Sequence, residues 1–183
     1  VVYGIIYGQG ASGLASKLAI GAEAARTLID TFKRTFCAVT EHVKVLKERA
    51  KESGFVMVPT GRRRSLPQIN NHRDRAKQAE AERHSVNTVF QGGAADLMKE
   101  AMILWTDRIP ADLAAECALV GQIHDECLVE VTPARLHEAA ALLRACMEEA
   151  GQLMVPLRVA LKAGPSWGHL SPYPPANLNS TPS

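Results

Sequence analysis

The sequence has 183 residues, of which 46% are hydrophobic and 22% charged, a balance that excludes a globally disordered chain and suits one ordinary domain or two small ones. No stretch approaches the ~18 uninterrupted apolar residues of a membrane-spanning helix, and four scattered cysteines without a Cys-x-x-Cys pair argue against a zinc ribbon or a disulfide scaffold. The net charge is only +2, but residues 60–85 hold seven bases and three acids, whereas residues 112–149 hold eight acids and two bases.

Apolar residues at helical spacing fill the chain between residues 14 and 53. They repeat every three or four positions in two runs, and Gly54 can end the second run. Residues 55–58 then predict a short strand, Pro59-Thr60-Gly61 a turn and residues 62–66 the partner strand. The first part of the chain is therefore expected to be helical with one small hairpin.

The second part of the chain combines a long helix with a second hairpin. Residues 74–105 are helical in pattern, and the adjacent glycines within 90–93 predict an interruption because glycine disfavours helix. Residues 118–123 and 127–131 predict two strands of a hairpin. The prediction continues with a helix that begins at Thr132 and Pro133 and ends at Gly151. A last strand at 157–163 and a disordered tail at 171–183 follow it.

Gly8-x-Gly10-x-x-Gly13 matches the glycine fingerprint of dinucleotide-binding proteins. That fingerprint needs a crossover strand within ~30 residues of the start of the unit, and the helical pattern here continues to about residue 53. We therefore discount a dinucleotide site. These glycines are better explained by close approach of a backbone or a ligand.

Tyr3 and Tyr7 would share one face if the first residues form a helix, because they are four positions apart. Gly4 and Gly8 would form a smooth strip beside them. Such a face can accept a flat ring, such as a nucleic-acid base. Close packing against another helix explains the same spacing.

Arg62, Arg63 and Arg64 follow one another directly after Gly61 in the predicted turn. Guanidinium groups match phosphate oxygens with two parallel hydrogen bonds, so clustered arginines beside a basic helix indicate a clamp for a nucleic-acid backbone. The alternative is a turn that serves only solubility. Mutual repulsion of three consecutive arginines favours the phosphate interpretation.

Asp125 and Glu126 lie where the chain turns between two predicted strands. Adjacent carboxylates repel each other unless a cation or solvent relieves the repulsion. A hard cation such as Mg²⁺ takes oxygen ligands and leaves room for substrate phosphates. Because successive strand side chains point to opposite faces, we expect Asp125 to be the main ligand and Glu126 a secondary one. An exposed acidic turn without a metal is the alternative.

Five segments together resemble the C-terminal part of a family A (polymerase I-like) DNA polymerase. In chain order they are Tyr3-Gly4-Ile5-Ile6-Tyr7-Gly8, Gly61-Arg62-Arg63-Arg64-Ser65-Leu66-Pro67, residues 81–96, Gln122-Ile123-His124-Asp125-Glu126 and Ser166-Trp167-Gly168. They resemble the end of motif B on the fingers helix, the family's Gly-Arg-Arg-Arg turn, the long palm helix, motif C and the family's closing residues. Residues beyond 170 and the first segment are more similar to the eukaryotic theta and nu branches.

This resemblance implies an α+β fold with the right-hand polymerase architecture. The end of the fingers helices would occupy residues 1–57, and the palm with its antiparallel motif C hairpin would occupy residues 58–170. Asp125, supported by Glu126, would hold the catalytic Mg²⁺ ions, for which Mn²⁺ can substitute. Tyr3, Gly4 and Tyr7 would contact the nucleotide and the templating base. The implied DNA-binding residues are Arg62, Arg63, Arg64, Arg83, Asn87, Gln91, Gln122 and His124.

The family's two-metal chemistry also needs an aspartate from motif A and triphosphate-binding Arg and Lys residues of the fingers helix, and we expect this sequence to start after them and after the thumb. The expected partners are template–primer DNA, a deoxynucleoside triphosphate and that N-terminal part, and no membrane is expected. These 183 residues alone are expected not to synthesise DNA. The implied location is the nucleus in a eukaryote and otherwise the cytoplasm. Alternatives are a non-catalytic DNA-binding or interaction module and a Mg²⁺-dependent phosphohydrolase.

Overall fold

The computed structural model describes residues 2–173, and the chain divides into two compact units, Val1–Gly93 and Ala94–Ser183. The described residues of the first unit form, before its share of a fifth helix, the elements α1 Val2–Ile6, α2 Ala11–Leu18, α3 Ala22–Thr35, α4 Cys37–Ser53, β1 Phe55–Met57 and β2 Arg63–Ser65. A long helix, α5 Arg75–Arg108, runs from the first unit into the second. The subdomain boundary expected between residues 57 and 58 is a different division of the chain and stays a prediction.

In the second unit, a hairpin follows one helix and precedes another along the chain. Its elements are α6 Ala111–Ala114, β3 Cys117–Ile123, β4 Glu126–Val131, α7 Leu136–Glu148, β5 Leu161–Ala163 and β6 Ser171–Tyr173. Every strand pair among residues 2–173 is antiparallel: β1 with β2, β3 with β4, and β5 with β6. The α+β prediction is confirmed, and the described chain has no parallel unit of the kind that the dinucleotide fingerprint requires.

The predicted end of the second helical run at Gly54 agrees with the structure, whereas the first run is divided into α2 and α3. Gly54 adopts a left-handed conformation with φ of 75°, and its amide donates to the carbonyl of Ala50 at the end of α4. Glycine tolerates this conformation without the steric cost that a Cβ brings, which is why it commonly ends helices. The predicted hairpin follows at once, with Val56 opposite Arg64.

Three apolar clusters hold these elements in place. In the first unit, Leu14, Ala25 and Ile29 join α2 to α3, and a second cluster consists of Ala50, Val56, Leu66, Ile69 and Ala81. In the second unit, the core is formed by Trp105, Leu113, Cys117, Ala139 and Cys146. Burial of apolar area of this kind contributes about 25 cal/mol per Å², so these clusters carry much of each unit's stability.

The prediction that α5 breaks at its two glycines is wrong. The helix continues without interruption from Arg75 to Arg108. Each glycine costs about 1 kcal/mol relative to alanine in an isolated helix. Here the β1–β2 hairpin packs on this part of α5, since a Cβ on Gly92 would lie 2.8 Å from Cγ1 of Val58. Tertiary packing overrides the local preference.

The C-terminal predictions need three corrections. The helix expected from Thr132 and Pro133 to Gly151 is an α-helix only over Leu136–Glu148, after a 3₁₀ turn at Pro133–Arg135. The last strand expected at 157–163 is limited to Leu161–Ala163. The disordered tail expected at 171–183 is wrong for its first three residues, because Ser171–Tyr173 pairs with β5 and the Tyr173 hydroxyl lies 3.2 Å from Nδ1 of His137 on α7. Residues 174–183 of the expected tail lie outside the described residues.

Among residues 2–173, the helices include none whose length and apolar character would let it span a lipid bilayer.

Candidate functional site

The predicted tyrosine face forms on α1. The rings of Tyr3 and Tyr7 are stacked, with centroids 6.3 Å apart and an interplanar angle of 20°. Tyr3 is 74% exposed, so one ring face is open to solvent. The carbonyl of Gly4 accepts a hydrogen bond from the amide of Gln9 at 2.8 Å, which folds the chain back after the helix. An exposed aromatic face of this kind can stack with a nucleic-acid base.

A positively charged cleft of about 420 Å³ lies beside this face. Tyr7 and Gly8 form part of its wall, and a Cβ on Gly8 would lie 3.4 Å from Cγ of Arg83. Gly8 has φ of +85°, a conformation that L side chains rarely adopt. The other charged residues that line the cleft are Arg26, Asp30, Lys33 and Lys47. The structure therefore brings Tyr7 and Arg83, two residues predicted separately, to one cationic cleft.

Lys47 also takes part in an ion-pair network between α4 and α5. Glu82 pairs with Lys51 at 2.7 Å and with Lys47 at 3.7 Å. Partial burial alone would raise the pKa of Glu82, but the hydrogen bond and charge of Lys51, together with Lys47, hold it below its ordinary value. Glu82 therefore ties α4 to α5 and fixes the helix turn that carries Arg83.

The arginine triplet packs against its own unit. Arg62 Nη2 donates to the carbonyl of Gly92 at 3.3 Å, and Arg64 Nη1 donates to the Thr88 hydroxyl at 3.1 Å. The guanidinium carbon of Arg63 lies 4.9 Å from the centre of the Phe55 ring, at cation–π distance. All three residues remain exposed.

Asn87 and Gln91 are four residues apart on α5 and therefore share a face. Gln91 is exposed, whereas Oδ1 of Asn87 is shielded from water and has no hydrogen-bond donor among the described residues. A shielded amide oxygen without a donor is costly. This face is chemically ready to accept a donor from a bound molecule.

The predicted metal hairpin forms in the second unit. Ile123 pairs with Glu126, so the turn consists of His124 and Asp125, and Glu126 is the first residue of β4. His124 takes a left-handed conformation with φ of 54°. The side-chain amide of Gln122 donates to the carbonyl of His124 and so holds the turn closed. The structure thus brings the four predicted residues of this motif together at one hairpin tip.

Asp125 and Glu126 are both exposed at this tip. Their carboxylate oxygens are hard donors of the type that Mg²⁺ prefers. No group of three or more His, Cys, Asp or Glu side chains that could hold a metal occurs within residues 2–173. The residues present fit one side of a magnesium site, and ligands from elsewhere would have to complete it.

A β-bulge in the hairpin was not predicted from the sequence. The pairing of β3 with β4 shifts between Leu119 and Gly121, which leaves Val120 as an extra residue that is 50% exposed. A bulge increases local twist and redirects the residues beyond it, here toward the acidic tip. Gly121, an isolated glycine inside a strand pattern, is the signal that could have indicated it.

Cys127 is the nearest thiol to the acidic tip in sequence. Burial raises the pKa of its thiol above the ordinary value. The thiol form therefore dominates at neutral pH, and a thiolate nucleophile at this hairpin is disfavoured.

Comparison with known proteins gives one consistent result. The family model described as DNA polymerase family A matches residues 1–169. Over 94% of its length the chain is 38% identical to the DNA polymerase I of Chloroflexus aurantiacus, and over 92% it is 36% identical to the DNA polymerase theta of Drosophila melanogaster. It spans 18% of the first relative and 8% of the second.

A solved structure has the same fold. The polymerase domain of Pol1 from M. smegmatis, in complex with a DNA primer-template and dNTP, superposes with a TM-score of 0.80 at 34% identity. The similarity covers 86% of this chain and 27% of that domain. Strand β6 begins beyond the last residue that the family model matches.

Proposed function

Because this chain belongs to DNA polymerase family A, we propose that it forms the nucleotide-contacting helix, a DNA-contacting surface and the metal-binding hairpin of a template-directed DNA polymerase. The observation that carries the proposal is the exposed pair Asp125–Glu126 at the tip of an antiparallel hairpin, in a chain whose family match covers residues 1–169. The bound DNA and dNTP of the M. smegmatis relative support the same assignment.

In the proposed reaction, the primer 3′-oxygen attacks the α-phosphorus of a paired deoxynucleoside triphosphate, and pyrophosphate leaves. Magnesium held there by Asp125, with Glu126 in support, would favour loss of the primer hydroxyl proton and would neutralise the developing charge on the phosphates. Asp125, with Glu126 in support, would supply oxygen ligands from this chain. A two-metal arrangement needs further carboxylates, so the 183 residues alone are proposed to be inactive.

The first unit would position the substrates. Tyr7 would stack at the templating base, and Tyr3, with its exposed ring, would lie against the sugar of the incoming nucleotide. Arg83, in the cationic cleft, would contact a backbone phosphate. Asn87 and Gln91 would meet the edge of the primer–template duplex, where the undonated Oδ1 of Asn87 gains a partner. We propose action in the nucleus for a theta-like or nu-like protein and in the cytoplasm for a bacterial one.

A primer-extension assay tests this function. The 183-residue chain should bind a labelled primer–template weakly and add no nucleotide. A chimaera that joins it in register to the N-terminal part of the thermostable DNA polymerase I of Thermus thermophilus, 38% identical over 91% of this chain, should extend the primer. A chimaera that folds and binds DNA without extension would support the alternative, a non-catalytic DNA-binding module.

Replacement of Arg83 by alanine should weaken DNA binding by the isolated chain. One phosphate contact contributes about one unit to the slope of log K against log salt, so the slope should fall by about that amount. Fluorescence anisotropy over a salt series measures both quantities. Arg49→Ala is the matched control, because Arg49 is exposed on α4 and lies outside the cleft lining. Equal slopes for the two variants would contradict the assignment of Arg83.

A further inference from the structure

The β1–β2 hairpin holds α5 from two points on one helix face. Arg62 reaches the Gly92 carbonyl and Arg64 reaches the Thr88 hydroxyl. Thr88 and Gly92 are four residues apart, so the two hydrogen bonds attach the hairpin to successive turns on the same side of the helix. Thr88 is buried, so its end of the hydrogen bond with the exposed Arg64 is shielded from competing water.

The two glycines of α5 form a notch for the turn of this hairpin. A Cβ on Gly92 would lie 2.8 Å from Val58 Cγ1, closer than real Cβ contacts allow, and a Cβ on Gly93 would lie 3.3 Å from Pro59 Cδ. Val58 is only 2% exposed and cannot move aside without disturbing the core. The glycines that seemed to interrupt the helix are thus the residues that admit the hairpin.

The face of α5 that the hairpin contacts, with Thr88 and Gly92, and the face predicted to contact DNA, with Asn87 and Gln91, are adjacent on the same helical turns. Successive helix residues are about 100° apart, so Asn87 and Gln91 lie one residue, or about 100°, from Thr88 and Gly92. The hairpin therefore restrains the rotation and axial position of these turns, and with them the direction in which Asn87 and Gln91 project. Gln91 is exposed in this arrangement.

We infer that residues 58–64 act as a positioning clamp that sets how Asn87 and Gln91 meet the primer–template duplex. This inference rests on the proposed function. Arg62 and Arg64 are then positioning residues whose guanidinium groups bind α5, and the phosphate contact falls to other cations such as Arg83. The clamp also explains how three consecutive arginines are accommodated in this hairpin, since their charges are directed to different partners.

Salt-dependent DNA binding separates positioning from phosphate contact. Arg64→Ala and Thr88→Val each remove one side of the same hydrogen bond, and only the first removes a charge. Both should weaken binding of a fluorescein-labelled primer–template by a similar factor, with the slope of log K against log salt unchanged. A fall of about one in the slope for Arg64→Ala would assign this residue to phosphate and overturn the clamp.

Amide hydrogen exchange of the 183-residue chain supplies a second readout, independent of DNA. Both variants should speed exchange at residues 88–93 while residues 14–29, in another cluster, stay as protected as before. Unchanged exchange at residues 88–93 would overturn the clamp. If the Thermus chimaera binds DNA without extending the primer while exchange changes as expected, the proposed function fails and the clamp stands as a structural feature.

Substitution by alanine should lower the melting temperature Tm at Gly92 and raise it at Gly13. Gly13 lies in α2, where a Cβ would make only ordinary contacts 3.5 Å from Gln9, so Gly13→Ala should raise Tm by about 2–4 °C through helix propensity. Gly92→Ala should lower Tm, because the added methyl group would overlap with Cγ1 of Val58. Thermal unfolding followed by circular dichroism measures both. A Tm increase for Gly92→Ala would show that the notch is not tight and would overturn the inference.

Discussion

Asparagine in place of Asp125 should lower the primer-extension rate of the chimaeric polymerase by about 10³-fold or more while DNA binding changes little. A metal ion that stabilises the transition state contributes several kcal/mol, and each 1.36 kcal/mol corresponds to a factor of ten in rate. Asparagine has nearly the same shape as aspartate but lacks the negative charge that holds a divalent cation. Single-turnover extension measures the rate, and anisotropy measures DNA binding.

The matched control for this change is Glu130→Gln. Glu130 is an exposed carboxylate on β4 of the same hairpin, opposite Ala118 and away from the tip. Removal of its charge should alter the rate by less than an order of magnitude. Comparable losses for the two variants would show that the hairpin's overall charge matters, and the assignment of Asp125 as a metal ligand would then be wrong.

Replacement of Trp105 by alanine should destabilise the second unit by about 3–5 kcal/mol, the usual cost of truncating a buried aromatic side chain. Trp105 is 3% exposed and belongs to the cluster that contains Leu113 and Cys117. Because Leu119 and Val129 of the β3–β4 hairpin pack on this cluster, loss of the indole should also loosen the strands behind the acidic tip. Urea unfolding followed by circular dichroism gives the free energy.

The second tryptophan of the chain provides the control. Trp167 is 62% exposed, so Trp167→Ala should change the free energy of unfolding by no more than about 0.5 kcal/mol. The two variants remove the same side chain from different environments, which isolates the effect of burial. A small effect at both positions would mean that the cluster around Trp105 contributes little to the stability of this unit.

Local signals were sufficient for several elements. The end of α4 at Gly54 follows from the freedom of glycine at positive φ, and the first hairpin follows from turn residues after a short apolar run. The acidic tip was located because two apolar strands flank only three residues. In each case the decisive interactions join residues close in sequence, so the pattern of residue types carries the information.

Other features depend on residues that are distant in sequence. The continuity of α5 at Gly92 is decided by Val58, 34 positions earlier, and the partners of Arg62 and Arg64 lie 30 and 24 positions away. Helix propensity at the glycines gave the wrong answer because a local scale contains no term for a neighbouring hairpin. Strand β6 was missed for the same reason, since its partner is β5 and its Tyr173 contacts α7.

The amino-acid sequence by itself determined the α+β class, the acidic hairpin tip and the family resemblance, because these depend on periodicity, turn chemistry and motif order along the chain. Tertiary structure alone decided that Arg62 and Arg64 bind α5 and that Tyr7 and Arg83 border one cleft. Those arrangements arise from packing and hydrogen bonding between segments whose separation along the chain conceals their contact in space.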